Sequence, residues 1–185
     1  MKLYGSYTSP FVRHCRVALM QEGIEFEFVE ADYAMSAQHS PTAKVPFLSD
    51  GDLALTDSSS IVKYAREKNG KTFLAALDDH ENFAMANTVL DSAINVFLLE
   101  NEGFTAEQIK YIARQQNRIA SGLKTLDQRF DPSDGIARDG ALRCACLLDW
   151  ALFRNRISLD GLSHLQALLD AANQVDAFAA TAPPR

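Results

Sequence analysis

The first 70 residues change their hydrophobic pattern every few positions, as alternating strands and helices do. Residues 2–5 form a short apolar run typical of a strand, and residues 10–22 carry apolar side chains at helical spacing up to Gly23, a common helix stop. Residues 25–30 alternate with period two, like a strand with one face in water. The pattern predicts a βαβ unit at the start of the chain.

A loop, a hairpin and a helix follow this unit. Residues 33–44 are rich in Ser, Thr, Gln and Pro, which predicts a loop with about one turn of helix. The dipeptide Asp50-Gly51 separates two apolar runs, 45–48 and 53–56, and is a strong hairpin signal. Residues 58–69 return to helical spacing. The resulting order, β-α-β-loop-β-β-α, predicts an α/β mixed sheet with helices on its faces.

Beyond residue 70 the strand-like alternation ends and apolar residues recur at helical spacing. Residues 139–153 are apolar on nearly every side, which is typical of a buried central helix. The other helical stretches cover residues 83–97, 105–130 and 162–169.

This change of pattern predicts two domains. The first, α/β, covers residues 1–70, and the second, all-helical, covers residues 80–185. The terminal segment 181–185 is expected to fray.

Composition and charge narrow the class of protein. With 47% hydrophobic and 23% charged residues, the 185-residue chain is typical of an ordinary globular protein. A net charge of −6 argues against nucleic acid or an anionic membrane as the main partner. No apolar run approaches the ~20 residues that span a bilayer, and the N-terminus lacks the apolar core of a secretory signal. We therefore expect a cytoplasmic protein.

The cysteines and histidines indicate neither a disulfide framework nor a metal site. Cys144 and Cys146 lie two positions apart, on opposite sides of a helix, and Cys15 lies far away in sequence. All three sit among apolar residues and are expected to be small buried hydrophobes in a reducing compartment. The four histidines are scattered without metal-ligand spacing.

The segment Thr8-Ser9-Pro10-Phe11 combines a polar residue and a proline at the start of the first helix. Pro10 suits the first helical position because its missing N–H would be unpaired there in any case. The Ser9 hydroxyl would then lie where free backbone N–H groups and the helix dipole favour an anion, such as a substrate thiolate. Ser before Pro is also common at helix starts, and capping alone explains it. Both interpretations remain open.

Three N-terminal segments together resemble the glutathione S-transferase superfamily, and the helical second half resembles that family's C-terminal domain. The segments are Ser9-Pro10-Phe11, Lys44-Val45-Pro46-Phe47 and Thr56-Asp57-Ser58-Ser59-Ser60-Ile61. The chain is most similar to small bacterial members that carry Ser at the first helix. The resemblance implies a thioredoxin-like N-terminal domain, a homodimer, and glutathione as co-substrate without a further cofactor or a metal.

The resemblance also implies a role for each matching residue. Ser9 would be the catalytic hydrogen-bond donor to the glutathione thiolate. Val45-Pro46 matches the family's cis-proline, beside which the ligand backbone pairs; an ordinary trans proline opening an edge strand is the alternative. The implied glutathione-binding set is Ser9, Phe11, Lys44, Val45, Pro46, Asp57 and Ser58.

Charge explains the roles at the two ends of glutathione. Asp57 suits the γ-glutamyl ammonium, and Ser58 with its helix N-terminus suits the carboxylate, although both residues would also serve as simple helix caps. Lys44 could approach the glycine carboxylate or be merely solvated. Arg13 and His14 are expected at the surface or in domain packing rather than in catalysis.

The implied reaction is transfer of glutathione to a small electrophile, a detoxifying activity. An ordinary thiol has a pKa of about 8.5, and only its thiolate is a good nucleophile. A helix N-terminus and the Ser9 hydroxyl would lower that pKa. The alternative is a binding or regulatory protein that keeps the fold without transferase activity. Thiol–disulfide exchange would need Cys at position 9, and Ser9 cannot form a mixed disulfide.

One departure from the family pattern concerns the central helix. The family opens this helix with Ser or Thr three residues before an acidic residue. Here Asp139 matches the acidic residue, but Ile136 occupies the cap position. The segment Asp131-Pro132-Ser133-Asp134-Gly135 is a possible alternative source of the cap.

Overall fold

The computed structural model describes residues 1–131, 133 and 135–184, which form four strands and eight helices. The strands are β1 (Lys2–Gly5), β2 (Glu27–Glu30), β3 (Phe47–Asp50) and β4 (Leu53–Leu55). The helices are α1 (Pro10–Gln21), α2 (Tyr33–His39), α3 (Ser58–Lys68), α4 (Leu77–Asn101), α5 (Lys110–Arg129), α6 (Asp139–Phe153), α7 (Ser163–Asn173) and α8 (Asp176–Ala179).

The strands form one mixed sheet in the order β2-β1-β3-β4. β1 pairs with β2 in parallel, whereas β1 with β3 and β3 with β4 are antiparallel. This confirms the predicted fold class, a thioredoxin-like βαβ-ββα part followed by an all-helical part. The segment predicted as a loop with about one turn of helix holds the longer, seven-residue α2. The start of α2 is capped by the Asp32 carboxylate, which accepts the Met35 N–H at 2.8 Å.

The register brings three connections to the same edge of the sheet. Phe47, the first residue of β3, lies opposite Tyr4 near the end of β1, and their rings stack at 4.5 Å between centroids. Leu55, the last residue of β4, lies opposite Leu48. The segment that follows β1, the segment that precedes β3 and the segment that follows β4 therefore all emerge at one edge.

Residues 1–73 together with 173–185 form one compact unit, and residues 74–172 form the other. The predicted boundaries, 1–70 and 80–185, stay a prediction. The C-terminal segment joins the first unit because α8 packs on α1. The Arg13 guanidinium stacks on the Phe178 ring at 3.7 Å, and Arg13 Nη2 donates to the Phe178 carbonyl at 2.9 Å.

These contacts decide one expectation and correct another. Of the two places expected for Arg13 and His14, the surface and domain packing, the surface is excluded, because both side chains are buried. Thr181, expected in a frayed terminus, is fully buried, and its hydroxyl accepts from Arg13 Nε at 3.4 Å. Arg185 lies outside the described residues.

Helix α6 is the core of the second unit, as its apolar composition predicts. It packs along α4, and every residue from Asp139 to Leu148 is buried. Cys144 and Cys146 are fully buried, as is Cys15 in the first unit, which confirms their expected role. Burial raises the pKa of the Cys144 thiol far above its ordinary value, so this sulfur stays protonated and unreactive.

The start of α6 is capped from α4. The Asp79 carboxylate accepts the Gly140 N–H at 2.9 Å, and a side-chain Cβ at Gly140 would meet the Asp79 carbonyl oxygen at 2.7 Å. Glycine therefore allows the two helix starts to approach closely. Ile136, at the family's cap position, is a buried apolar residue. Of the segment proposed as an alternative cap, Pro132 and Asp134 lie outside the described residues.

Among the described residues one helix, α4, is long and apolar enough to cross a bilayer. No such segment was expected from the sequence. Buried helices of globular proteins meet the same criterion, and α4 packs against α5 and α6. A single helix of this kind is weak support for a membrane span.

A buried ion pair joins α1 to the end of α3. The Glu22 carboxylate accepts from Arg66 Nη1 at 2.6 Å, from Lys71 Nζ at 3.0 Å and from Asn69 Nδ2 at 3.0 Å. Burial by itself raises the pKa of Glu22, but these hydrogen bonds outweigh it and hold the pKa below its ordinary value.

We expect Glu22→Gln to lower the free energy of unfolding by about 2–3 kcal/mol at pH 7, because the Arg66 charge stays buried without its carboxylate. A lowered native pKa contributes stability that is present above the ordinary carboxyl pKa of about 4.3 and is lost as the pH falls below it. The difference between the two proteins in urea unfolding should therefore shrink between about pH 5 and pH 3. Glu25→Gln, at an exposed carboxylate, is the control. A difference that is constant across this pH range contradicts the assignment.

Candidate active site

Ser9 is the N-cap of α1. Its backbone is extended (φ −82°, ψ 126°), and its Oγ accepts the Val12 N–H at 3.3 Å. Pro10 takes the first helical position, where it brings no N–H. The capping interpretation is therefore confirmed. The first turn of α1 therefore offers a ligand fewer free N–H groups than expected, because the Val12 N–H already donates to Ser9 Oγ.

The hydroxyl hydrogen of Ser9 remains available. The Ser9 oxygen acts as an acceptor, and within the described part of the chain the O–H donates no hydrogen bond. Ser9 is also partly exposed. A group arriving at the start of α1 can thus accept a hydrogen bond from Ser9 while the cap to Val12 stays intact.

The turn that carries Ser9 is held by two hydroxyls that the sequence analysis did not single out. Ser6 Oγ lies 3.1 Å from Thr8 Oγ1 and accepts the Thr8 N–H at 3.3 Å, and the Ser9 N–H donates to the Ser6 carbonyl at 3.1 Å. The run of hydroxyl residues from Ser6 to Ser9, directly after β1, is the sequence signal that could have predicted this turn. Hydroxyl-to-backbone bonds of this kind fix a tight turn.

An aromatic pair lies beside this turn and was also missed. The Tyr7 and Phe28 rings are 4.7 Å apart, and the Arg16 guanidinium lies 5.1 Å and 5.0 Å from their centroids. Phe28 belongs to β2, so no local pattern in the sequence could have linked it to Tyr7. Tyr7 remains 39% exposed.

The Val45–Pro46 peptide bond is cis, as the resemblance implied, and the trans alternative is wrong. Pro46 is buried and Val45 is partly exposed. Among the described residues neither the N–H nor the C=O of Val45 has a hydrogen-bond partner. Val45 therefore presents one donor and one acceptor to any extended backbone that lies beside it. The neighbouring Lys44 is exposed, and its ammonium has no ion-pair partner in the described chain.

Asp57 caps α3, and Ser58 is the first residue of that helix. Asp57 Oδ1 accepts the Ser59 N–H at 2.7 Å, which leaves Oδ2 without a partner in the part of the chain that is described. Ser58 is buried, and its carbonyl lies 3.7 Å from the Cys15 Sγ of α1. Cys15 thus holds the start of α3 against α1 and has a packing role.

The three segments emerge from one edge of the sheet. Ser9 follows β1, Val45 and Pro46 precede β3, and Asp57 follows β4. Phe11 lies in the first turn of α1 and is partly exposed. This edge holds a hydroxyl donor, an unpaired backbone segment, an exposed ammonium and a carboxylate. Such a set suits an extended, zwitterionic peptide with a nucleophilic or anionic group near Ser9.

Comparison with known proteins identifies the family. Residues 3–73 match the model of the glutathione S-transferase N-terminal domain. The chain is similar to the Escherichia coli (strain K12) protein called uncharacterized GST-like protein YibF, with 30% identity over 212 aligned residues that cover 100% of both chains. The chain belongs to the glutathione S-transferase family.

Two further relatives extend the likeness over the whole chain. Glutathione S-transferase Z2 of Arabidopsis thaliana is 24% identical, over 100% of this chain and 92% of its own. A crystal structure of a glutathione S-transferase from Methylobacillus flagellatus, with glutathione bound, superposes with a TM-score of 0.86 at 25% identity and covers 99% of each chain. Both the α/β part and the helical part of this glutathione S-transferase family member are therefore within the family's fold.

We expect Ser9→Ala to lower the free energy of unfolding by about 1 kcal/mol, because the Val12 N–H loses its capping acceptor. Ser9→Gly should lower the free energy of unfolding by only a few tenths of a kcal/mol. Ser9→Thr keeps a capping oxygen, so its free energy of unfolding should also stay close to that of the parent protein. Urea unfolding of the three variants measures the series. Equal stability of the Ala variant and the parent would show that the cap contributes nothing.

Proposed function

We propose that this protein is a glutathione transferase, which binds glutathione at the edge of the sheet in the N-terminal unit and activates its thiol for attack on a small electrophile. The observation that carries the proposal is the Ser9 hydroxyl. It caps α1 with its oxygen and keeps its hydrogen available for a thiolate. The Methylobacillus flagellatus relative was crystallised with glutathione, which supports the ligand.

The chemistry of the edge matches the chemistry of glutathione along its length. The unpaired N–H and C=O of Val45, beside Pro46, suit the backbone of the cysteinyl residue in a short antiparallel pairing. Asp57 suits the γ-glutamyl ammonium, and the start of α3 at Ser58 suits the γ-glutamyl carboxylate. Lys44 suits the glycine carboxylate at the other end.

Ser9 acts as a hydrogen-bond donor and not as a nucleophile. The thiol releases its proton to solvent, and the thiolate is stabilised by the Ser9 O–H and by the positive end of the α1 dipole. The sulfur then forms a bond to an electrophilic carbon as a leaving group departs or a double bond opens. Phe11, in the first turn of α1, completes the apolar surroundings of the sulfur. Arg13, two residues further along α1, is paired with α8 and takes no part.

The remaining features of the proposal are those of the family. We propose a cytoplasmic homodimer with a detoxifying role that uses glutathione as co-substrate and no further cofactor. A glutathione-binding protein without transferase activity is the second candidate. The transferase and the non-catalytic binding protein differ in turnover alone. Binding of glutathione without turnover of a generic electrophile would favour the binding protein.

Replacing Ser9 separates capping from catalysis. We expect Ser9→Gly, which keeps the fold, to raise the pKa of bound glutathione by about one unit, since each unit corresponds to about 1.4 kcal/mol of lost thiolate stabilisation. The rate of conjugation at pH 6.5 should fall about tenfold, while the Kd of glutathione changes less than about threefold.

Thiolate absorbance against pH, together with the pH profile of kcat, measures this effect. Ser9→Thr should restore the parent pKa and rate because it keeps the hydroxyl. An unchanged thiol pKa in Ser9→Gly would exclude Ser9 as the donor.

The ammonium partner is tested with matched caps. We expect Asp57→Asn to weaken glutathione binding about threefold to tenfold, because an amide caps α3 but carries no charge for the ammonium. Asp32→Asn makes the same change at the cap of α2 and should leave the Kd unchanged. Calorimetry with glutathione gives both values. Equal losses in the two variants would contradict a specific role for Asp57.

A further inference from the structure

A cavity of ligand size lies wholly within the helical unit, and none of its lining residues belongs to the proposed glutathione site. It has a volume of about 540 Å³, which falls in the range of small-molecule pockets. All its lining residues belong to residues 74–172. The second half of α4 and the middle of α5 form its floor, and the segment between α6 and α7 forms its wall.

The floor is apolar and well packed. The side chains that cover it are buried on α4 and α5, and Leu162 contributes from the wall. The apolar floor residues are Ala93, Val96, Ile119 and Leu123. A hydrocarbon or aromatic body placed here would leave water on burial, which is favourable in proportion to its apolar area.

The wall is fastened at both ends. Near its start, the Arg156 N–H donates to the Ala151 carbonyl at 2.7 Å, and the Arg156 guanidinium pairs with Glu100 of α4. At its end, the Asp127 carboxylate of α5 accepts the N–H groups of His164 and Leu165 at 2.9 Å and 3.0 Å. The cavity is therefore preformed and does not depend on a ligand to hold its shape.

The charge at the rim is negative. Arg156 is neutralised by Glu100, whereas the exposed Asp160 carboxylate has no ion-pair or hydrogen-bond partner among the residues described. An adjoining depression of about 520 Å³ shares Glu100 and adds the exposed Glu107. An anionic ligand would face carboxylates here, while a cation would find Asp160 available.

We propose that this cavity is a binding site for small organic cations that have an apolar body, with the cationic group at Asp160 and the body on the floor of α4 and α5. The site adds a non-catalytic ligand site to the chain. It does not depend on glutathione binding, because the two sets of residues belong to different units.

The test uses two probes that share an apolar body and differ in charge, phenylbutylammonium and phenylbutyrate. In NMR titrations of the labelled protein, we expect the ammonium to shift the amide signals of Ala120, Leu123 and Leu162, with a Kd of about 1 mM as the probe's size allows. Phenylbutyrate should bind at least about threefold more weakly.

Four variants test the location of the site. Asp160→Asn should weaken the ammonium about twofold to fivefold and leave phenylbutyrate unaffected or slightly tighter. Asp52→Asn makes the same charge change at an exposed site in the other unit and should have no effect. Ala120→Trp places a large ring at the rim and should abolish binding, with thermal unfolding as the check on its fold. Ser9→Gly should bind the ammonium like the parent, whatever becomes of the proposed transferase activity.

The proposal is overturned if the two probes bind equally and Asp160→Asn has no effect, or if the shifted signals lie outside the cavity. It is also overturned if folded Ala120→Trp binds normally. A change in oligomeric mass caused by Ala120→Trp would overturn it as well, since a second copy of the chain would then cover the cavity.

Discussion

The start of α1 imposes the constraint on which the rest of the site depends. A helix needs an acceptor for the N–H groups of its first turn, and Ser9 supplies it to Val12 through the oxygen of its hydroxyl. The same bond fixes the direction of the side chain and leaves the hydrogen for another acceptor. The proposed function thus combines a structural and a chemical role in one group, and under it a residue that only capped the helix could not replace Ser9.

The remaining parts of the N-terminal unit hold that helix start against the sheet. Gly5 allows β1 to approach α1 closely, since a Cβ there would lie 2.4 Å from Val12 Cγ2. Cys15 joins α1 to the start of α3, and Glu22 joins its end to Arg66. Arg13 joins its outer side to α8. Contacts of α1 with β1, α3 and α8 therefore fix the position of Ser9 at the sheet edge.

Local patterns in the sequence predicted most of the fold, and the family resemblance indicated three segments of the candidate site. Period-two and helical spacing gave the order of elements, and the segments that carry the resemblance, at Pro10, Pro46 and Asp57, emerge at the same edge of the sheet. What the sequence could not predict depends on residues far apart in the chain. Arg13 pairs with a residue 165 positions away, and the cap of α6 comes from Asp79, 61 positions before Gly140. Helix α2 was predicted as only about one turn because its polar composition is also that of a loop.

A crystal structure of the complex with glutathione would show whether Ser9 donates a hydrogen bond to the sulfur. We expect the glutathione sulfur within hydrogen-bond distance of Ser9 Oγ, with the Ser9 oxygen still accepting the Val12 N–H. A bound glutathione whose sulfur is directed away from Ser9, or hydrogen-bonded to Thr8 instead, would contradict it.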